Sequence, residues 1–91
     1  MRPARQRHDL AVAFGARLRT LREQAGLTQE ALAWDCEVSK GFLSRVESGR
    51  AAASLDTAIR LADRLGLELF ELFLVEPRGP RAEHAENHRL T

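Results

Sequence analysis

Apolar residues recur along the first part of the chain at intervals of three and four positions, the period of one face of an α-helix. Gly26 follows this stripe and suits the end of a helix, because glycine adopts the left-handed conformation there at little cost. The pattern predicts a first amphipathic helix whose buried face contains Leu10, Phe14, Leu18, Leu21 and Ala25.

Four further helices are predicted downstream. The last of them runs from about Glu68 to Val75 and ends before Pro77, which cannot continue a helix. No segment alternates polar residues with β-branched apolar ones, so we expect no sheet. The fold class is therefore predicted to be all-α, a compact five-helix bundle. The second, third and fourth helices are expected to begin at the capping residues Thr28, Ser39 and Ser54 and to end near Asp35, Glu47 and Gly66.

The chain length limits the number of domains. With 91 residues there is enough apolar surface for one hydrophobic core and not for two. We expect a flexible basic N-terminal arm over residues 1–8, one domain over 9–76 and a mostly disordered tail over 77–91. The tail is assigned as disordered because it contains Gly79 and Pro80 and then has almost no apolar residues.

Charge is nearly balanced overall but unevenly distributed. The formal net charge is +1, with 14 basic against 13 acidic residues, which excludes a histone-like polybasic binding mode. Residues 1–22 and 39–50 are net positive, whereas residues 23–38 and 51–76 are net negative. A nearly neutral chain with this distribution can still present a basic face.

Several classes of protein are excluded or disfavoured by composition. The single cysteine, Cys36, excludes an internal disulfide and a cysteine-rich zinc site, and a reducing, cytoplasmic setting fits best. No apolar run approaches the ~20 residues of a membrane span, so we expect neither membrane insertion nor export. His84 and His88 have the spacing of metal ligands on a helix, but a lone pair in a tail is more often unliganded. We therefore expect no metal, no cofactor, no small-molecule ligand and no enzymatic activity.

The second and third predicted helices are joined by a very short link, residues 36–38. Two short helices at this spacing are typical of a helix-turn-helix. The twenty-residue unit covers residues 29–48, and its fifth residue is Ala33, whose small side chain lets the two helices cross closely. Its fourth, eighth, tenth, fifteenth and eighteenth residues are all apolar, as a shared core requires: Leu32, Cys36, Val38, Leu43 and Val46.

With its flanking segments, this unit resembles the Cro/C1-type helix-turn-helix family, also called XRE, over residues 14–73. The resemblance implies a five-helix domain of the lambda-repressor-like type and a sequence-specific transcriptional regulator that binds double-stranded DNA. It further implies a homodimer on a palindromic operator, with the recognition helix, about residues 39–47, in the major groove. The segments that carry the resemblance are Phe14–Arg22, Gly26–Glu30, Leu43–Arg50, Ser54–Thr57, Leu65–Leu67 and Leu72–Phe73.

The resemblance also assigns roles to individual residues. Gln29 stands where the family uses a glutamine on the phosphate backbone, although Gln29 and Thr28 can instead serve only to cap the second helix. Lys40 and Arg45 are candidates for guanine edges, which arginine can bind bidentately. Phe42 either touches a thymine methyl group or packs back on the fold. The full predicted DNA-binding set is Thr28, Gln29, Ser39, Lys40, Gly41, Phe42, Ser44, Arg45 and Arg50.

Other positions match or depart from the family pattern. In the family, the positions of Arg22 and Glu47 form an ion pair between the first helix and the recognition helix. Glu37 stands at the ninth position of the motif, where glycine is usual because the turn needs a positive φ, so we expect either strain of order 1 kcal/mol or an adjusted turn. The loop after the third helix is Arg-Ala-Ala-Ala over residues 50–53, which leaves Arg50 as its phosphate donor. The arginines within residues 2–7, Arg2, Arg5 and Arg7, either follow phosphates or a minor groove or belong to a flexible solvated terminus, which is the preferred interpretation.

Apolar residues stand at two positions that tend to be polar in the family, Trp34 and Phe70. Trp34 lies on the outer side of the second helix. The fifth helix is expected to pack inward through Leu69, Leu72 and Phe73. The remaining apolar side chains of that helix would be exposed, and an exposed apolar patch usually marks an interface. We therefore predict a homodimer whose interface contains Phe70, Leu74 and Val75.

Several biological roles share this mode of operator binding. They include a phage-type repressor, a stand-alone regulator, an antitoxin-type autoregulator and the controller protein of a restriction–modification system. The chain resembles such controllers in its short length and in Ser54-Leu55 without a preceding proline. The alternative class is a protein-binding module that has lost DNA binding. Gln29, Lys40 and Arg45 discriminate between the classes, because such a module need not keep them.

Overall fold

The computed structural model describes residues 4–74, which form four α-helices and one short 3₁₀-helix. These residues contain no strand, so the expected all-α class is correct. The expected count of five α-helices is not confirmed. In chain order the elements are α1 (Ala4–Gln24), α2 (Gln29–Asp35), α3 (Lys40–Glu47), α4 (Leu55–Leu65) and the terminal 3₁₀-helix (Leu69–Phe73).

Side-chain caps begin the three middle helices where the sequence predicts them. The Thr28 hydroxyl accepts a hydrogen bond from the Ala31 amide at 3.0 Å at the start of α2. The Ser39 and Ser54 hydroxyls accept in the same way at the starts of α3 and α4, at 2.9 and 3.1 Å. Each cap satisfies one amide that has no partner within its own helix. Gly66 ends α4 in the left-handed conformation at φ +73°.

Helix α1 begins earlier than expected. Its backbone is helical from Ala4, so α1 includes part of the segment, residues 1–8, that was expected to form a flexible arm. The added residues include alanine, arginine and glutamine, which are good helix formers, and residues 7–10 are exposed. Leu10, the first member of the predicted stripe, is accordingly 55% exposed. Arg2 and the predicted tail over residues 77–91, with its two histidines, lie outside the described residues.

The fifth predicted helix is a 3₁₀-helix of five residues. Its start is fixed by a reciprocal cap, in which the Glu68 amide donates to the Glu71 carboxylate at 2.7 Å. The 3₁₀ form is common in short terminal segments, because each hydrogen bond closes a shorter loop than in an α-helix. Leu72 anchors the segment with a side chain that is fully buried. Val75, the predicted end of this helix, lies outside the described residues.

The hydrophobic core draws on every element, and α1 packs against α3 and the terminal 3₁₀-helix. The crossing of α1 and α3 is close enough to require glycine at position 15. A Cβ atom on Gly15 would lie 2.2 Å from the Val46 carbonyl oxygen. The buried apolar residues are Leu18, Leu32, Ala33, Cys36, Leu43, Val46, Ala58, Leu61, Ala62 and Leu72.

Candidate nucleic-acid interface

Helices α2 and α3 form a helix-turn-helix around the predicted apolar positions. Four of these five positions are buried and Val38 is half-buried, while Ala33 is 2% exposed at the crossing of the two helices. The turn is closed by backbone hydrogen bonds, including one from the Val38 amide to the Ala33 carbonyl at 3.0 Å. The two short helices therefore pack as a single unit, and α3 presents its other face to solvent.

Glu37, at the ninth position of the motif, adopts the left-handed conformation that suits glycine, with φ +63°. This conformation costs a residue with a side chain about 1 kcal/mol or more. Helix α4 offsets part of this cost through Arg60, whose Nη1 lies 3.4 Å from a Glu37 carboxylate oxygen and donates to the Cys36 carbonyl at 3.4 Å. A second ion pair, between Arg64 and Asp35, also joins α4 to the end of α2. The turn is therefore strained, and contacts from Arg60 and Arg64 of α4 support it.

Arg22 and Glu47 form a buried, two-pronged ion pair between α1 and α3. Arg22 Nε donates to Glu47 Oε2 at 2.7 Å, and Nη2 donates to Oε1 at 3.1 Å. Each residue is 8% exposed. The hydrogen bond that Arg22 donates to Glu47 raises the pKa of the Arg22 guanidinium above its ordinary value. Arg22 Nη1 also donates to the Leu27 carbonyl at 2.8 Å, which fixes the α1–α2 loop on the same side chain.

The Gln29 side chain joins this pair. Its Nε2 donates to Glu47 Oε1 at 2.9 Å, so the carboxamide is half-buried against α3 and does not cap α2. The cap of α2 is Thr28 alone. An amide nitrogen carries two N–H donors, so one donor of Gln29 remains available to an outside acceptor. The sequence did not predict that Gln29 contacts Glu47.

An open groove of about 430 Å³ lies where α1, α2 and the start of α3 meet. Sequence analysis did not single out two of its lining residues, Arg19 and Glu30, as functional. Arg19 lies one turn before Arg22 on α1, and its spacing from Arg22 was the signal that would have placed it here. Its Nε pairs with Glu23 at 3.1 Å at the protein surface. The groove is lined by Arg19, Arg22, Thr28, Gln29, Glu30 and Lys40.

The outer face of α3 carries two exposed cations and an exposed glycine. Lys40, Gly41 and Arg45 are exposed, and the Arg45 guanidinium lies 3.6 Å from the place where a Gly41 Cβ atom would stand. The glycine therefore leaves room for the Arg45 side chain to lie along the helix. Phe42 is half-buried and packs against the core, which favours the packing alternative for this residue. Ser44 is also half-buried.

The loop after α3 continues this surface. Arg50 is exposed, and its Nε donates to the Ser48 hydroxyl at 3.2 Å. That hydroxyl in turn donates to the Arg45 carbonyl at 3.1 Å. Arg50 is therefore held beside the carboxyl end of α3.

The terminal 3₁₀-helix exposes two of the three predicted interface residues. Phe70 is 62% exposed and Leu74 is 52% exposed. Phe73, which was expected to pack inward, is 52% exposed and contacts α1 by stacking on Phe14 with ring centroids 5.3 Å apart. The expectation for Phe73 was wrong, because Leu72 fills the core position and leaves Phe73 at its edge. Trp34 is 83% exposed on α2, as expected.

Two further findings concern residues 4–74. Among them, no group of three or more His, Cys, Asp or Glu side chains is arranged to hold a metal ion. None of the helices in this range has both the length and the apolar composition needed to cross a membrane.

Comparison with known proteins gives matches over most of the chain. A family model described as a helix-turn-helix domain matches residues 13–72. The control protein C.MunI of Mycoplasma sp is 33% identical over 67 residues, which cover 72% of this chain and 90% of that protein. The crystal structure of the restriction-modification controller protein C.AhdI from Aeromonas hydrophila is 43% identical, with a TM-score of 0.68 over 71% of this chain and 97% of that one. The clp gene regulator ClgR from Corynebacterium glutamicum is 33% identical, with a TM-score of 0.71 over 89% of this chain and 85% of that one.

Proposed function

The chain belongs to the XRE-like helix-turn-helix family, and on that premise we propose that it is a sequence-specific DNA-binding transcriptional regulator. The observation that carries the proposal is the outer face of α3. This helix is fixed to the core on one side and exposes Lys40, Gly41 and Arg45 on the other. Such a face fits the major groove, which is wide enough to admit an α-helix.

Arg45 and Lys40 supply the direct contacts with bases. A guanidinium can donate two parallel hydrogen bonds to guanine O6 and N7, whereas the lysine ammonium binds the same edge as a point charge. Gly41 lets the backbone of α3 approach the bases, because no side chain stands between them. Ser44 flanks this face from the next turn, and Phe42 contributes only the part of its ring that the core leaves exposed.

The groove between α1, α2 and α3 receives a phosphate of the DNA backbone. Its rim carries the Thr28 hydroxyl, the second N–H of Gln29 and the Lys40 ammonium, all of which donate to phosphate oxygens. Ser39 and Arg50 add contacts at the two ends of α3. The buried pair of Arg22 and Glu47 orients this arrangement, because it links α1, α3 and Gln29 through one carboxylate.

The regulator acts as a homodimer on a palindromic operator. Phe70 and Leu74 expose apolar surface on the terminal 3₁₀-helix, and Val75 follows them in the sequence. A two-fold axis through this surface would set the two recognition helices one turn of DNA apart, ~34 Å. Doubling the contacts compensates for a chain whose net charge of +1 gives little non-specific affinity.

A more specific role, control of a restriction–modification system, is favoured by the relatives. Two of the matched proteins, at 33% and 43% identity, are described as a control protein and a restriction-modification controller protein. This chain covers 90% and 97% of their lengths, so the match is to the whole of each protein. A controller of this kind would bind the DNA upstream of its own gene.

The test is a titration of DNA from upstream of this gene, followed by gel shift at several salt concentrations. Arg45→Ala should weaken operator binding by ~1–3 kcal/mol and relax specificity at one base pair. Arg64→Ala is the charge-matched control, because it removes an exposed cation outside the predicted DNA-binding set, and circular dichroism checks that loss of its pair with Asp35 leaves the fold intact. An equal loss with every DNA sequence would make Arg45 a phosphate contact, and no shift at low salt would refute the proposal.

A further inference from the structure

Arg17 is a cation of α1 that is turned away from α3 and toward the terminal 3₁₀-helix. Its Nε and Nη2 both donate to the Glu71 carbonyl oxygen, at 3.3 and 3.1 Å. The arginine is half-buried in this position. It therefore contributes to the packing of the domain rather than to the basic surface that its charge alone suggests.

The contact has the character of a helix cap. The last carbonyls of a helix have no partner within the helix, and a nearby cation is favourable at this negative end. Among the described residues, the Glu71 oxygen also accepts a long hydrogen bond, from the Leu74 amide at 3.4 Å. A carbonyl oxygen has two lone pairs, so the Arg17 guanidinium fills acceptor capacity that the short helix leaves open.

The capped segment carries the exposed apolar residues Phe70 and Leu74. A 3₁₀-helix of five residues has little stability of its own, so its position depends on what holds it. Its contacts with the rest of the domain include the buried side chain of Leu72, the stacking of Phe73 on Phe14 and the Arg17 cap, beside the reciprocal cap between Glu68 and Glu71 at its own start. The Arg17 cap is a polar contact from another helix, and it acts on the residue between Phe70 and Leu72.

We propose that Arg17 is a positioning residue for the dimer interface: by capping the Glu71 carbonyl, it holds Phe70 and Leu74 in the arrangement that a second copy of this chain binds. The inference rests on the homodimer of the proposed function. Its physical basis is pre-organisation, because a segment that is already ordered loses less conformational entropy on association. Without the cap, dimerisation would have to order the segment first.

The test compares three full-length variants by sedimentation equilibrium, under conditions where circular dichroism shows each to be folded. Arg17→Met keeps the apolar stem and removes the donors, and Arg17→Lys keeps the charge and one donor group. Arg19→Met is the matched control on the same helix, where the side chain pairs with Glu23 at the surface. We expect Arg17→Met to raise the dimer Kd about tenfold, which corresponds to about 1.4 kcal/mol. Arg17→Lys should recover part of that loss, and Arg19→Met should leave the Kd unchanged.

The outcomes separate this inference from the dimer on which it rests. A wild-type chain that stays monomeric at every concentration, or a Phe70→Glu variant that stays dimeric, refutes the proposed interface and the role of Arg17 with it. A wild-type dimer that Phe70→Glu dissociates, combined with an unchanged Kd for Arg17→Met, refutes only the role of Arg17. A rise in Kd that Arg17→Lys fails to reduce also contradicts it, because a cap requires a donor at the Glu71 carbonyl.

Discussion

Gly15 lies where α1 crosses the carboxyl end of α3, and substituting alanine there tests how closely the two helices are held. The added Cβ atom would lie 2.2 Å from the Val46 carbonyl oxygen and 2.6 Å from that of Glu47. Ordinary contacts between carbon and oxygen are about 3.3 Å or longer, so the helices would have to separate by about 1 Å. Both oxygens belong to the backbone of α3 and cannot rotate away.

The expected loss is the difference between two opposing effects. Replacing glycine by alanine within a helix normally stabilises it by about 1 kcal/mol. Overpacking a closely packed site costs about 1–3 kcal/mol and occasionally more, and here the clash is with rigid backbone. Separating the helices would also strain the hydrogen bonds between Arg22 and Glu47, of which the shorter is 2.7 Å. We expect Gly15→Ala to lower the free energy of unfolding by about 2 kcal/mol or more.

Gly41→Ala is the matched control, because position 41 is also a helical glycine. Its added Cβ atom would meet only the Arg45 guanidinium at 3.6 Å, an ordinary contact, so this variant should be more stable by about 0.5–1 kcal/mol. Urea unfolding followed by far-UV circular dichroism measures both changes. Fluorescence is the poorer probe, because the single tryptophan, Trp34, is 83% exposed before unfolding. If both variants are stabilised alike, the close crossing of α1 and α3 is wrong.

Three further predictions concern buried or strained groups. Glu47→Gln removes the counter-charge of the buried Arg22 and should lower the free energy of unfolding in urea by about 3–5 kcal/mol; a loss below about 1 kcal/mol would contradict the burial of the pair. Glu37→Gly should have a free energy of unfolding about 1 kcal/mol higher than Glu37→Ala in urea, because both variants lose the contact with Arg60 and only alanine keeps the strain. Equal urea midpoints for the two variants would exclude strain. Burial raises the pKa of the Cys36 thiol, so the folded chain keeps this proton above the pH, about 8.5, at which an unfolded thiol ionises. Stability should therefore fall as the pH rises above that value, and more steeply than in Cys36→Ala; parallel pH profiles of urea midpoints would refute this.

The local features of the fold were predictable because each depends on residues close in sequence. The caps at Thr28, Ser39 and Ser54 reach three residues ahead, and the apolar positions of the helix-turn-helix follow from helical period alone. The positive φ of Glu37 was one of two expectations, since glycine is usual at this position of the motif, and its φ of +63° selects strain over an adjusted turn. The family assignment rested on these local features together.

Contacts between distant segments were not predictable. Arg17 counted only as part of a basic first helix, and nothing in the sequence pairs it with a carbonyl 54 residues away. Gln29 was assigned either to phosphate or to a cap, and its hydrogen bond to Glu47 depends on how α2 and α3 pack. Phe73 shows the same limit, because apolar period cannot tell which of two neighbouring side chains fills the core. The spacing of apolar residues also does not distinguish a 3₁₀-helix from an α-helix in so short a segment.

One turn of α1 contacts α3 on one side and the terminal 3₁₀-helix on the other. Gly15 faces α3, while Phe14 and Arg17 face the terminal 3₁₀-helix. Under the proposed function, the exposed residues of α3 read the DNA and take part in neither contact, so substitutions among them should change the preferred operator without changing dimerisation. After gene duplication, two copies that diverge only on α3 would then form mixed dimers and occupy hybrid operators. Preventing such mixed dimers would require a further change at the proposed interface residues Phe70 or Leu74.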